Sequence, residues 1–207
     1  SMKHERNLFR RTLLMAAACS LSMPFAAAAQ EFKDLKPTRS PLVLKSQGSF
    51  YVGGRIVTQS LVELGYGNDA GRIAVDQMYV QYKVPMGSAK KAPVVMIHGM
   101  TLTGKTWETT PDGRMGWDEY FVRNGRSTYL VDQVARGRSG FDQARFNNAR
   151  AGLTPPAQQP NILRISLDFA WTMFRFGTRD GAPYANSNFP LAYMNELAKQ
   201  GIPDVAQ

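Results

Sequence analysis

The residues with the most chemical potential lie between His98 and Thr106. The run Gly99-Met100-Thr101-Leu102-Thr103-Gly104-Lys105-Thr106 fits the phosphate-binding loop pattern of two glycines separated by four residues, then lysine and a hydroxyl residue. In that reading Tyr129-Leu130-Val131-Asp132 would be the magnesium-binding partner strand. Such a loop works by opening a helix whose N-terminus faces the phosphates. Here Pro111, Gly113 and Gly116 interrupt any such helix within about two turns. Nucleotide binding is therefore the alternative reading, and Lys105 is more simply a solvated loop cation.

Nucleophilic chemistry finds no complete set. An elbow of the type Gly-x-Ser-x-Gly needs a sharp turn between strand and helix, and the nearest run, Gly137-Arg138-Ser139-Gly140-Phe141, has Phe141 at the last glycine position. Ser139 reads as a loop hydroxyl. Of the two histidines, His4 lies in the leader and His98 at a strand end, so no Ser–His pair forms without using His98 as base. The single cysteine, Cys19, also lies in the leader, which leaves the remainder without a disulfide, a thiolate zinc site or a cysteine nucleophile.

That leader has three parts. Lys3, Arg6, Arg10 and Arg11 form a positive region, Leu13 to Phe25 an apolar stretch, and Ala27-Ala28-Ala29 a small-residue cleavage signature before Gln30. Ser1, ahead of Met2, reads as an added residue. The apolar stretch is shorter than the ~20 residues of a membrane span, so residues 1–29 are expected to be a removable signal peptide and the mature protein periplasmic or secreted. Arg10-Arg11 admits a twin-arginine route. The leader holds four of the 25 basic and one of the 16 acidic side chains, leaving a net charge of +6. Without a run of five like charges or a basic helix, this is a mildly basic surface that excludes nucleic acid as the favoured partner.

Residues 30–47, rich in proline and lysine, read as an irregular lead-in. Phe50 to Val52 and Ile56 to Thr58 flank Gly53-Gly54, a pattern that suits a hairpin. Met78, Val80, Tyr82 and Val84 alternate with polar or amphipathic neighbours, as in a strand with one buried face. Val94-Val95-Met96-Ile97 is continuously apolar, which predicts a strand covered on both faces in a parallel sheet, and Thr128-Tyr129-Leu130-Val131 repeats the feature. A helix from Trp117 to Arg123, ended by Gly125, supplies the crossover. Beyond Asp142, Pro155, Pro156 and Pro160 mark a loop. A helix is then predicted from an Asn161 cap to Phe176, with Leu163, Leu167, Ala170, Trp171 and Phe174 buried. No further apolar strand is expected after Gly177. The late aromatic residues could cap an apolar pocket, but helical spacing already explains those within 161–176 as core.

The strand ending in His98-Gly99-Met100, followed by Asp132 and Gly137-Arg138-Ser139-Gly140 at the next strand end, resembles the α/β-hydrolase superfamily. Trp107-Glu108-Thr109-Thr110-Pro111-Asp112-Gly113-Arg114 is similar to secreted bacterial serine esterases within it. The resemblance covers roughly residues 48–207 and is strongest from Pro93 to Gly140. It implies an α/β fold with a partial hydrolase sheet: an antiparallel start, then parallel strands with crossover helices. Residues 48–141 would form the amino-terminal half of the core and 142–207 a helical, cap-like excursion. The resemblance assigns an oxyanion-hole backbone N–H to Met100, with His98 and Gly99 as the supporting strand end and Thr101 and Trp107 beside the substrate. Acyl transfer builds negative charge on a carbonyl oxygen, so a preorganised N–H there stabilises the transition state more than the ground state. Asp132 is expected to brace loops. Nucleophile, acid and histidine follow later in the superfamily's order, so the nucleophile strand is expected beyond Gln207.

The activity implied is hydrolysis of a small-molecule carboxylic ester. No metal or organic cofactor is implied, and neither nucleic acid nor a membrane after leader removal. A homo-oligomer is compatible, since an apolar edge strand invites association. Besides the nucleotide alternative, a non-catalytic binding protein on a degenerate hydrolase scaffold stands as the third reading.

Overall fold

The computed structural model describes residues 30–87 and 91–205, so the expected leader lies outside the described residues. The chain is mixed α/β. Strand β1 (Leu44–Gln59) pairs antiparallel with β2 (Gly71–Pro85) along its whole length, from Leu44↔Pro85 to Gln59↔Gly71. The hairpin expected at Gly53-Gly54 is therefore not formed. Both glycines lie inside β1 at φ 66° and 83°, and β2 carries a matching irregularity at Asp76, φ 61°. The pair supplies a local kink instead of a turn, because β2 offers ladder partners on both sides of it. The reversal comes at α1 (Leu61–Leu64), where Ser60 Oγ accepts from Glu63 N–H and the Glu63 carboxylate accepts from Ser60 N–H, a reciprocal capping box.

Two short strands complete the sheet. Strands β3 (Val94–Ile97) and β4 (Thr128–Asp132) run parallel in the register Val94↔Thr128 to Ile97↔Val131. Between them lies α2 (Trp117–Arg123), followed by Gly125 at φ 74°, as its sequence predicts. The sheet order is β1-β2-β4-β3, and β4 meets β2 antiparallel, so an antiparallel half passes into a parallel one. Leu130 on β4, Val75 and Val80 on β2, Met96 on β3 and Val122 on α2 form the core. The expectation that β3 is covered on both faces fails: Val95 and Ile97 remain 59% and 58% exposed. Among the described residues β3 is an edge strand and nothing packs over that face.

The excursion also departs from its pattern. Helix α3 (Ala144–Arg150) leads to β5 (Ile162–Leu163), then α4 (Leu167–Met173), α5 (Met194–Lys199) and β6 (Asp204–Val205). The helix predicted over 161–176 is thus cut to its middle. Ser166, not Asn161, caps it, accepting from Phe169 N–H at 3.1 Å. Ile162 and Leu163 instead find ladder partners in Val205 and Asp204, a two-residue strand that is not an apolar one. Arg175, at φ 60°, ends the segment. Phe176 is buried with its ring 4.6 Å from that of Phe189, and Trp171 Nε1–H donates to Thr178 O at 2.9 Å. These aromatic side chains are local core.

Candidate active site

Where β3 and β4 end side by side, His98 ties them together. Its Nε2 accepts the Gln133 main-chain N–H at 3.0 Å, its Nδ1 lies 2.8 Å from Gly99 O, and Gln133 Nε2–H donates to His98 O at 2.8 Å. A main-chain N–H can only donate, so Nε2 carries no proton and Nδ1–H is the donor to Gly99 O, a tautomer assigned from this network. The ring is 4% exposed. Both nitrogens are occupied, which makes His98 a strap and leaves it no lone pair for a nucleophile.

One position before Gln133, the Asp132 carboxylate organises the two loops. It accepts Gly104 N–H at 2.7 Å, Arg138 N–H at 3.0 Å and Arg138 Nε–H at 2.8 Å. Burial alone would raise its pKa, but the Arg138 side chain and these two amides outweigh burial and hold it below the ordinary carboxylate range. Gly137 must be glycine twice over: its φ is 52°, and a Cβ there would stand 2.7 Å from Asp132 Oδ2. Ser139 Oγ–H donates to Asp132 O and accepts Tyr79 N–H at 2.7 Å, the loop role its sequence suggests.

The peptide groups around Met100 are pinned. Gly99 O accepts Leu102 N–H, Thr101 N–H donates to Asp204 Oδ2 at 3.1 Å, and Thr101 O accepts Ile202 N–H at 2.9 Å. Thr101 is buried and takes φ 56°, a left-handed conformation uncommon for a threonine. Among the described residues the Met100 N–H has no hydrogen-bond partner. Met100 and Thr101 line a cleft of about 310 Å³, walled on its far side by α4 and α5. The sequence did not foretell this wall, because neither α5 nor the segment's return past Gly201 has a strong periodic signal. Phe174, read as helix core, is 44% exposed and lines the cleft. Trp107, expected beside the substrate, packs against Trp117 with ring centroids 5.7 Å apart and planes tilted by 38°, and is not among the residues lining this cleft.

The phosphate-loop pattern does not fold as one. Its end, from Gly104, forms a single 3-10 turn, Gly104–Trp107, in place of a helix opening onto phosphates. Gly104 N–H is taken by Asp132, Lys105 N–H by Thr103 Oγ1 at 3.2 Å, and Lys105 Nζ donates to Thr109 O at 2.6 Å. Among the described residues no group of three or more His, Cys, Asp or Glu side chains could hold a metal ion.

An antiparallel pair feeding parallel strands across a helical crossover, with one strand ending in His-Gly and the next in a buried aspartate, is a partial α/β-hydrolase-like fold. The chain is similar to a solved protein described as "The Atomic Resolution Structure of a Novel Bacterial Esterase", with 46% identity and a TM-score of 0.76, over 82% of this chain and 53% of that one. It is also 37% identical, over 100 residues, to "Probable secreted lipase phiG" of Fungal sp. (strain ATCC 74256), a match covering 48% of this chain and 27% of the lipase. The chain thus spans about half the length of the esterase and about a quarter of the lipase. No family model matches it. The resemblance read from His98-Gly99 and from Asp132 to Gly140 stands.

Proposed function

We propose that this chain supplies the oxyanion side of a carboxylic-ester hydrolase of the serine type, with Met100 N–H as one donor to the acyl oxygen. The observation that carries the reading is the Met100 amide itself. The peptide groups on either side of it are committed to bonds, while this N–H, at the end of a sheet strand beside a cleft, has no partner among the described residues. A donor fixed in this way needs no reorganisation when negative charge develops. The reading assigns neither the nucleophile nor the base: the sequence contains no Gly-x-Ser-x-Gly run, and His98 serves as a strap. Export is part of the proposal, supported by the three-part leader and by the fungal relative's description as a probable secreted lipase.

The test is hydrolysis of p-nitrophenyl acetate and butyrate by the polypeptide of the complete reading frame. Met100→Ala keeps the donor and Met100→Pro deletes it. The alanine variant should stay within about threefold of the parent, while the proline variant should lose about 10²–10³ in kcat and keep a cooperative melt. Equal rates for the two variants would remove Met100 from the oxyanion site. If no ester is turned over, the non-catalytic scaffold becomes the better reading.

A further inference from the structure

The cleft beside Met100 is apolar over most of its wall, with Leu102, Leu167, Phe174 and Leu197 facing it, and Arg164 is the one charged residue among those that line it. Arg164 has no carboxylate within ion-pair distance among the described residues. Glu196 holds Lys199 Nζ at 2.5 Å and Gln30 N–H at 3.1 Å, Asp204 holds Arg136 and Thr101 N–H, and Asp168, four residues on, makes no ion pair with Arg164.

The guanidinium lies against Gly201. A Cβ at that position would collide with Nη1 and stand 2.9 Å from Cζ. Gly201 is not among the glycines at positive φ. A side chain at 201 would therefore push the guanidinium aside, and the backbone conformation would not oppose it. A guanidinium seated in this way on an apolar wall, close to the proposed oxyanion donor, suits a ligand with a hydrocarbon arm and an anionic end, and its fork matches a carboxylate bidentately.

We propose that the ester accepted here carries a carboxylate on the arm lying in this cleft, paired with Arg164; the proposal rests on the esterase reading of the same site. Binding separates the two ideas, because it needs no turnover. Hexanoate and hexanamide, alike in chain length and different in charge, are titrated calorimetrically into the 207-residue chain and into the polypeptide of the complete reading frame. Hexanoate should bind about three- to tenfold tighter than hexanamide, a modest factor because Arg164 is partly in solvent. Arg164→Gln should erase that preference and leave hexanamide binding and the melt unchanged. Gly201→Ala, which displaces the guanidinium without removing it, should weaken the preference. Equal binding of the two ligands, no binding of either, or a preference that survives Arg164→Gln would overturn the proposal. Kinetics on p-nitrophenyl hexanoate and on the p-nitrophenyl monoester of adipic acid completes the separation. No hydrolysis with the carboxylate preference intact defeats the esterase reading and leaves Arg164 only as a carboxylate seat, whereas hydrolysis of both esters with equal kcat/KM defeats the role of Arg164 alone.

Discussion

The Asp204 carboxylate accepts the Thr101 amide at 3.1 Å across 103 residues of sequence, and also holds the Arg136 guanidinium. This contact joins the end of the described chain to the loop that carries the proposed oxyanion donor. Asp204 is 4% exposed, so Asp204→Ala would leave a buried amide without an acceptor and a largely buried guanidinium without its carboxylate, holding only Val134 O through Nη1. The expected loss is about 2–4 kcal/mol, read as a lower urea midpoint with the slope unchanged. Asp204→Asn, which keeps one acceptor, should lose roughly half as much. If the alanine variant matches the parent, the clamp does not support the loop.

Asp132 predicts a dependence on acid. Protonating its carboxylate breaks its bonds to Arg138 and to the Gly104 amide, and its folded pKa lies below the ordinary 3.8. Its contribution to stability is therefore complete above that ordinary value and is lost as pH falls through the depressed folded one. Thermal melts from about pH 5 to about pH 2 should show the parent losing stability more steeply than Asp132→Asn. At neutral pH the asparagine variant should itself be weaker by about 2 kcal/mol, from the charge-assisted bonds it gives up. Parallel profiles for the two proteins would mean that other carboxylates govern the acid limb.

The part of this design that the sequence reveals is the part set by local pattern. Val94–Ile97, four apolar residues in a row, and Tyr129-Leu130-Val131 announce the parallel strands, and Trp117–Arg123 stops where Gly125 allows a left-handed turn. Distant partners erase the local signal elsewhere. Gly53-Gly54 reads as a turn until β2 is known to pair on both sides of it. The apolar spacing of Ile162 and Leu163 matches a helix, yet their backbone groups bond to Asp204 and Val205. His98, Gly99, Met100 and Thr101 are legible as a strand end, and the structure puts a cleft beside Met100 and Thr101. The wall opposite them, with Arg164 and Phe174, is not, because it depends on how the excursion returns past Gly201.

Lys105 separates a matching pattern from a working loop. The amides that would cradle phosphate are spent on Asp132 and Thr103, and the ammonium donates to Thr109 O. A fluorescent ATP analogue with magnesium should show no saturable binding up to about 1 mM, the range of weak affinities. Lys105→Ala should leave that flat titration unchanged. Micromolar binding abolished by this substitution would restore the nucleotide reading and end the esterase one.

Strand β3 predicts how the chain behaves in solution. It lies at the end of the sheet order, with its outer ladder groups unpaired among the described residues and Val95 and Ile97 more than half exposed. An open strand edge with an apolar face is a template for pairing with a second copy. The 207-residue chain should therefore associate as its concentration rises, seen in sedimentation velocity as a growing weight-average coefficient. Val95→Lys and Ile97→Lys add charge on the exposed face without touching buried Met96, and each should return the chain toward monomer with its melt preserved. The parent sedimenting as a monomer at every concentration would show that this edge is covered by something other than a second copy. Association undiminished in both variants would move the contact to another surface, with the exposed side chains of β1, Tyr51 and Ile56, next to be tested.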